Sequence, residues 1–121
     1  MSRPLSILIV EDEAMVALGL SFALEDAGAT VVGPAVSTVE ALELLAQAVV
    51  DAAILDVNLT DRDITPVALA LIDRDVPILF HTGTGLPPQF ADAYPDLQVI
   101  MKPNAPAAVI ARLLSRLPAV G

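Results

Sequence analysis

Leu5-Ser6-Ile7-Leu8-Ile9-Val10, followed at once by Glu11-Asp12-Glu13, is the stretch that decides the fold. An apolar, β-branched run of this length reads as a strand buried on both faces. Such strands belong to parallel sheets covered on each side by helices. Behind the acids, Met15 to Leu24 is apolar nearly all round and stops at Gly28, the pattern of a helix closed by glycine. Strand, acidic turn and helix make the first unit of an alternating chain.

The unit recurs. Thr30-Val31-Val32-Gly33 is a second short strand ending at Pro34. Ser37 and Glu40 have the capping-box spacing of a helix start, with Leu42, Leu45, Ala46 and Val49 as that helix's apolar face. Ala52-Ala53-Ile54-Leu55 is a third buried strand, ending at Asp56. Thr65-Pro66 predicts an N-cap followed by proline in the first helical position, opening a helix to about Arg74. Val76 to Thr82 is a fourth strand. Gly83 to Asp96 holds two glycines and three prolines, so its helix should be short, irregular or missing. Leu97 to Met101 is the fifth strand. Ile110, Leu113, Leu114 and Leu117 line one side of a closing helix, with Arg112 and Arg116 on the other. The expected fold is a doubly wound α/β domain with a five-stranded parallel sheet. It is expected to occupy residues 1–121 as one domain, without linker, repeat or output domain.

Composition excludes several functions. The net charge is −9, the only lysine is Lys102, and aromatics are 3% of the 121 residues. Nucleic-acid binding needs basic patches and stacking surfaces, so it is not expected. No apolar run approaches a membrane span, and the start Met1-Ser2-Arg3-Pro4 lacks the form of a signal peptide. With no cysteine, a cytoplasmic protein is the expectation.

In a parallel open sheet, ligands bind beyond the carboxyl ends of the strands. This chain sends Glu11 and Asp12 there from the first strand, Asp56 from the third, Thr82-Gly83 from the fourth and Lys102-Pro103 from the fifth. Any one of them alone reads as a solvated strand end, and Glu11 to Glu13 would suit a helix start. Five at one edge read as a site. Three carboxylates repel unless one holds a proton or a cation neutralises them, and magnesium suits oxygen ligands awaiting a phosphate. A carboxylate can take a phosphoryl group as an aspartyl phosphate, for which Lys102 and the Thr82 hydroxyl are fitting donors.

Ile9-Val10-Glu11-Asp12-Glu13, Ile54-Leu55-Asp56-Val57-Asn58-Leu59, Pro77-Ile78-Leu79-Phe80-His81-Thr82-Gly83 and Met101-Lys102-Pro103 together resemble the receiver domain of bacterial response regulators, across essentially the whole chain. The resemblance implies a flavodoxin-like sheet of strand order 2-1-3-4-5. It makes Asp56 the phosphoacceptor, with a phosphohistidine on a sensor histidine kinase or histidine phosphotransferase as donor. It implies Mg2+ held by Asp12, Asp56 and the backbone carbonyl of Asn58, with Glu11 acting largely through water. Lys102 would pair with Asp56 and then with the phosphoryl group, and Thr82 would turn inward to it. Asn58 and Thr84 would tune hydrolysis, and the Lys102-Pro103 bond would be cis. Such a domain is a signalling module rather than an enzyme. It is expected to be a monomer or weak homodimer that binds a downstream protein through the face from the fourth strand to the closing helix.

The chain departs from the family's pattern at four places. Val99 stands where Tyr or Phe is common, Thr60 and Ile64 replace the usual Pro and Gly, and Asn104 follows Lys102-Pro103. With Phe80-His81-Thr82-Gly83 and the proline-broken segment after it, these departures resemble an atypical stand-alone subgroup. His81 is expected to pack or to be exposed, aimed away from Thr82 by strand alternation. Asp61 to Asp63 reads as a solvated loop. Competing readings are a phosphorylation-independent scaffold, a phosphate sink for a kinase, an aspartyl phosphatase and a dinucleotide-binding fold. The phosphatase lacks an acid at Asn58. The dinucleotide fold lacks its glycine fingerprint at the first turn.

Overall fold

The computed structural model describes residues 4–57, 63–86 and 88–117. Among them five strands and five helices alternate: β1 (Ser6–Val10), α1 (Ala14–Asp26), β2 (Thr30–Ala35), α2 (Thr38–Gln47), β3 (Ala52–Asp56), α3 (Thr65–Asp73), β4 (Ile78–Thr82), α4 (Pro88–Ala93), β5 (Gln98–Met101) and α5 (Pro106–Leu114). All strand pairs are parallel, in the order β2-β1-β3-β4-β5. Every residue of β3 and β4 is buried, as continuous apolar runs demand of central strands.

Alternation along the strands builds two cores. Leu8, Val10, Leu55 and Phe80 face α2 and α3, packing on Ala41, Leu45, Val67 and Leu71. Ile7, Ile9, Ile54 and Leu79 face α1 and α5, packing on Leu20, Leu24, Val109 and Leu113. The helices of this second layer meet closely at Gly19, where a Cβ would stand 3.0 Å from Pro106 Cγ.

Local chemistry explains the helix ends, and in two places it differs from the sequence expectation. Ser37 caps α2 as expected, accepting from the Glu40 N–H at 3.1 Å. The buried stripe of α2, however, is Thr38, Ala41 and Leu45. Ala46 is exposed, and Val49 is 73% exposed because the helix has already ended at Gln47. At α3 the N-cap position falls to Ile64, and the carboxylate of Asp63 accepts from the Thr65 N–H at 2.7 Å. An acid two residues upstream thus takes over the role expected of the threonine. Gly28, at φ +86°, ends α1. The fourth helix is short, six residues, and is anchored by Phe90, whose ring lies 6.1 Å from that of Phe80 and 6.1 Å from that of Tyr94. The Lys102-Pro103 bond is cis, as is the unanticipated Gly33-Pro34.

Ser37→Ala is expected to lower stability by about 1 kcal/mol through loss of the cap. Urea denaturation would show it as a lower midpoint at unchanged slope.

Candidate functional site

The sheet continues one residue beyond two of its strands. The Glu11 N–H donates to Ala35 O at 2.9 Å, and the Lys102 N–H donates to Thr82 O at 2.8 Å. These bonds draw both residues onto the carboxyl edge, where β3 ends in Asp56. Glu11 is 1% exposed and Asp56 4%. One carboxylate oxygen from each of Glu11, Asp12 and Asp56 lies within 4.8 Å of the others. Lys102 Nζ stands 3.0 Å from Glu11 Oε1, 3.3 Å from Asp56 Oδ2 and 3.7 Å from Glu13 Oε1.

Burial of so much negative charge has a titration cost. Glu11 is pushed up to about 7, chiefly by desolvation and then by its hydrogen bond with Asp56, against the lowering effect of Lys102. Lys102 is held above its ordinary value because attraction to Glu11 and Asp56 outweighs its own desolvation. Near neutral pH, Glu11 therefore exchanges a proton readily. Its Oε1, apart from the ion pair with Lys102, has no directed hydrogen bond among the described residues. Three convergent carboxylate oxygens fit a hard divalent cation.

Thr82 is fully buried, and its hydroxyl engages its own loop. Oγ1 accepts from the Thr84 N–H at 3.1 Å and lies 3.4 Å from Thr84 Oγ1 and 3.5 Å from Gly85 O. Thr84 is thereby tied to Thr82, although its own side chain is exposed. Val99 is half-buried and pairs in register with Phe80, on the side of the α2 and α3 core. The structure thus brings together Glu11, Asp12, Asp56 and Lys102, with Thr82 on the adjoining strand end. Asn58, Thr60 and Asp61 lie outside the described residues.

Two neighbours were not assigned to the site from sequence. His81 is buried, with Nδ1 4.0 Å from Glu11 Oε1 and, among the described residues, no hydrogen-bond partner on either ring nitrogen. Burial, then the charge of Lys102, lowers its pKa, so the ring is neutral at neutral pH. Glu13 is the other, through its ion pair with Lys102. The signal for His81 is the register: β3 and β4 place it directly beside Asp56.

Residues 7–114 match the sequence profile of the family described as response regulator receiver domain. A search among curated proteins found no match. The solution structure of SdrG from Sphingomonas melonis Fr1 is 39% identical, with a TM-score of 0.78, over 95% of this chain and 97% of that one. A solution structure of the BeF3-activated conformation of SdrG, given as from Pseudomonas melonis Fr1, is 40% identical, with a TM-score of 0.73, over 95% and 97%. Vibrio cholerae chemotaxis protein CheY4 is 25% identical, with a TM-score of 0.79, over 96% of this chain and all (100%) of that one.

Proposed function

We propose a function on the premise that this chain belongs to the response regulator receiver domain family: Asp56 accepts a phosphoryl group, and the phosphorylated form binds a downstream protein. The chain is a domain of two-component signalling. The donor in this reading is a phosphohistidine of a histidine kinase or histidine phosphotransferase. The observation that carries the proposal is the buried Asp56 carboxylate at the end of β3, hydrogen-bonded to Lys102 at 3.3 Å beside Glu11 and Asp12.

An Asp56 oxygen attacks phosphorus as the bond to the donor's imidazole nitrogen breaks, so the protein's work is positioning and charge stabilisation. Lys102, already at the acceptor oxygen, follows the charge onto the phosphoryl group. The Thr82 hydroxyl exchanges its loop partners for a phosphoryl oxygen, which moves the segment Gly83 to Gly85. Mg2+ would be held by Asp12, Asp56 and the main-chain carbonyl of Asn58, with Glu11 behind them, and supplies neutralisation of the carboxylates and of the incoming phosphate. By family resemblance, Thr84 and Asn58 would tune hydrolysis in this reading. The face from β4 to α5 is the surface offered to the downstream partner. No helix among the described residues is long and apolar enough to cross a membrane, and a cytoplasmic location is part of this proposal.

The test is chemical trapping. After incubation with acetyl phosphate and Mg2+, borohydride reduction should convert residue 56, and no other aspartate, into homoserine. Peptide mass spectrometry reads the position, and homoserine elsewhere would overturn the assignment.

A further inference from the structure

Glu13 is the one acid of the first turn that neither helix capping nor the carboxylate cluster accounts for. It occupies the N-cap position of α1, but its side chain caps nothing. It is not among the three carboxylates that converge at Asp56. Its carboxylate instead reaches across to Lys102, 3.7 Å from Nζ, while remaining 67% exposed. Its backbone N–H donates to Glu11 Oε2 at 3.2 Å, which fixes the base of the side chain beside the site. With His81 and Lys102 it borders a cavity of about 490 Å³. Lys102 therefore serves three carboxylates, of which only that of Glu13 is exposed to solvent.

We propose that Glu13 is a positioning residue that sets the charge preference of this domain for its phosphodonor. It draws on Lys102 and adds a negative charge at the mouth of the site, so it holds back dianionic donors more than less charged ones. The inference rests on Asp56 being the acceptor. With acetyl phosphate, an Asp56 oxygen forms the new bond to phosphorus and the bond to the acetyl oxygen breaks. Acetate leaves with the electron pair, and total charge is conserved. With phosphoramidate, a monoanion whose nitrogen is already protonated, neutral ammonia leaves instead. The two reactions differ in the charge brought to the site, and that is the quantity Glu13 acts on.

The experiment follows phosphoryl uptake by intact mass in saturating Mg2+, with both donors, for the wild type, Glu13→Gln and Glu13→Lys. At low salt Glu13→Gln should raise the acetyl phosphate rate about two- to fivefold, the range of one partly exposed ion pair. Glu13→Lys should raise it further, and phosphoramidate should respond less. Near 1 M salt, where screening acts over ~3 Å, the differences should collapse. A change that is the same for both donors and indifferent to salt would mark a structural perturbation of α1 and overturn the inference. Equal rates in all three proteins would do the same, as would absence of uptake from either donor. Asp56→Asn runs alongside: no uptake there while the wild type is phosphorylated keeps the acceptor reading whatever Glu13 does, whereas uptake by the variant equal to a phosphorylated wild type removes that reading and this inference with it.

Discussion

Asp56→Asn is expected to take up no phosphoryl group from acetyl phosphate under conditions in which the wild type gains one. The nucleophile must be an ionised carboxylate oxygen, and an amide of the same shape offers none. Loss of uptake should not be loss of fold. Asparagine fills the same buried volume at the end of β3, and Lys102 keeps Glu11 at 3.0 Å as its nearest partner. Removing one of two neighbouring carboxylates also relieves part of the pressure that raises Glu11. Intact mass reports uptake, and a thermal melt within a few degrees of wild type confirms folding. Uptake by the folded variant would place the acceptor elsewhere.

The second large effect is a pH-dependent response to magnesium. Glu11 lies near 4.5 when unperturbed and at about 7 in the fold. A raised carboxyl pKa favours the folded state while Glu11 is protonated, fully so below 4.5, and the benefit is lost as pH rises through 7. By linkage the loss is on the order of 3 kcal/mol. His81 acts in the opposite sense. Its depressed pKa contributes stability above its ordinary 6.5 that is lost as pH falls. The difference between wild type and Glu11→Gln removes most of the histidine's part. That difference, from urea unfolding without metal, should move against the wild type between about pH 4.5 and 8. Mg2+ should then raise the melting temperature strongly at pH 8 and weakly at pH 5, where the proton on Glu11 opposes the cation. An equal Mg2+ response at both pH values would contradict the assignment of Glu11 to the metal site.

Much of this architecture was legible in the linear chain, for a physical reason. Strands such as Ala52 to Asp56 and Ile78 to Thr82 are buried on every residue, so their apolar runs have no reading other than a covered sheet. Their ends bring Asp56, Thr82 and Lys102 to one edge because all the strands point the same way. Helix faces were read less well. In α2 a small residue, Ala41, and a polar one, Thr38, form the buried stripe with Leu45, and neither announces itself by hydrophobicity. The Thr38 hydroxyl is satisfied by Asp63 O at 3.1 Å, a partner twenty-five positions away that no local pattern contains. The site neighbours His81 and Glu13 were missed for a similar reason. One is adjacent to Asp56 only through strand register, the other to Lys102 only through the meeting of two loops.

The small aromatic ladder that anchors α4 has an optical consequence. The chain has no tryptophan and one tyrosine, Tyr94, which leans on Phe90 and through it on Phe80 of β4. Phe80 sits two residues before Thr82, whose hydroxyl holds the loop leading into α4. Ultraviolet emission from the unlabelled protein therefore originates at a single place, beyond the loop that the phosphoryl group would pull. An observer recording tyrosine fluorescence through a phosphorylation cycle watches that segment alone, without a dye or an engineered reporter.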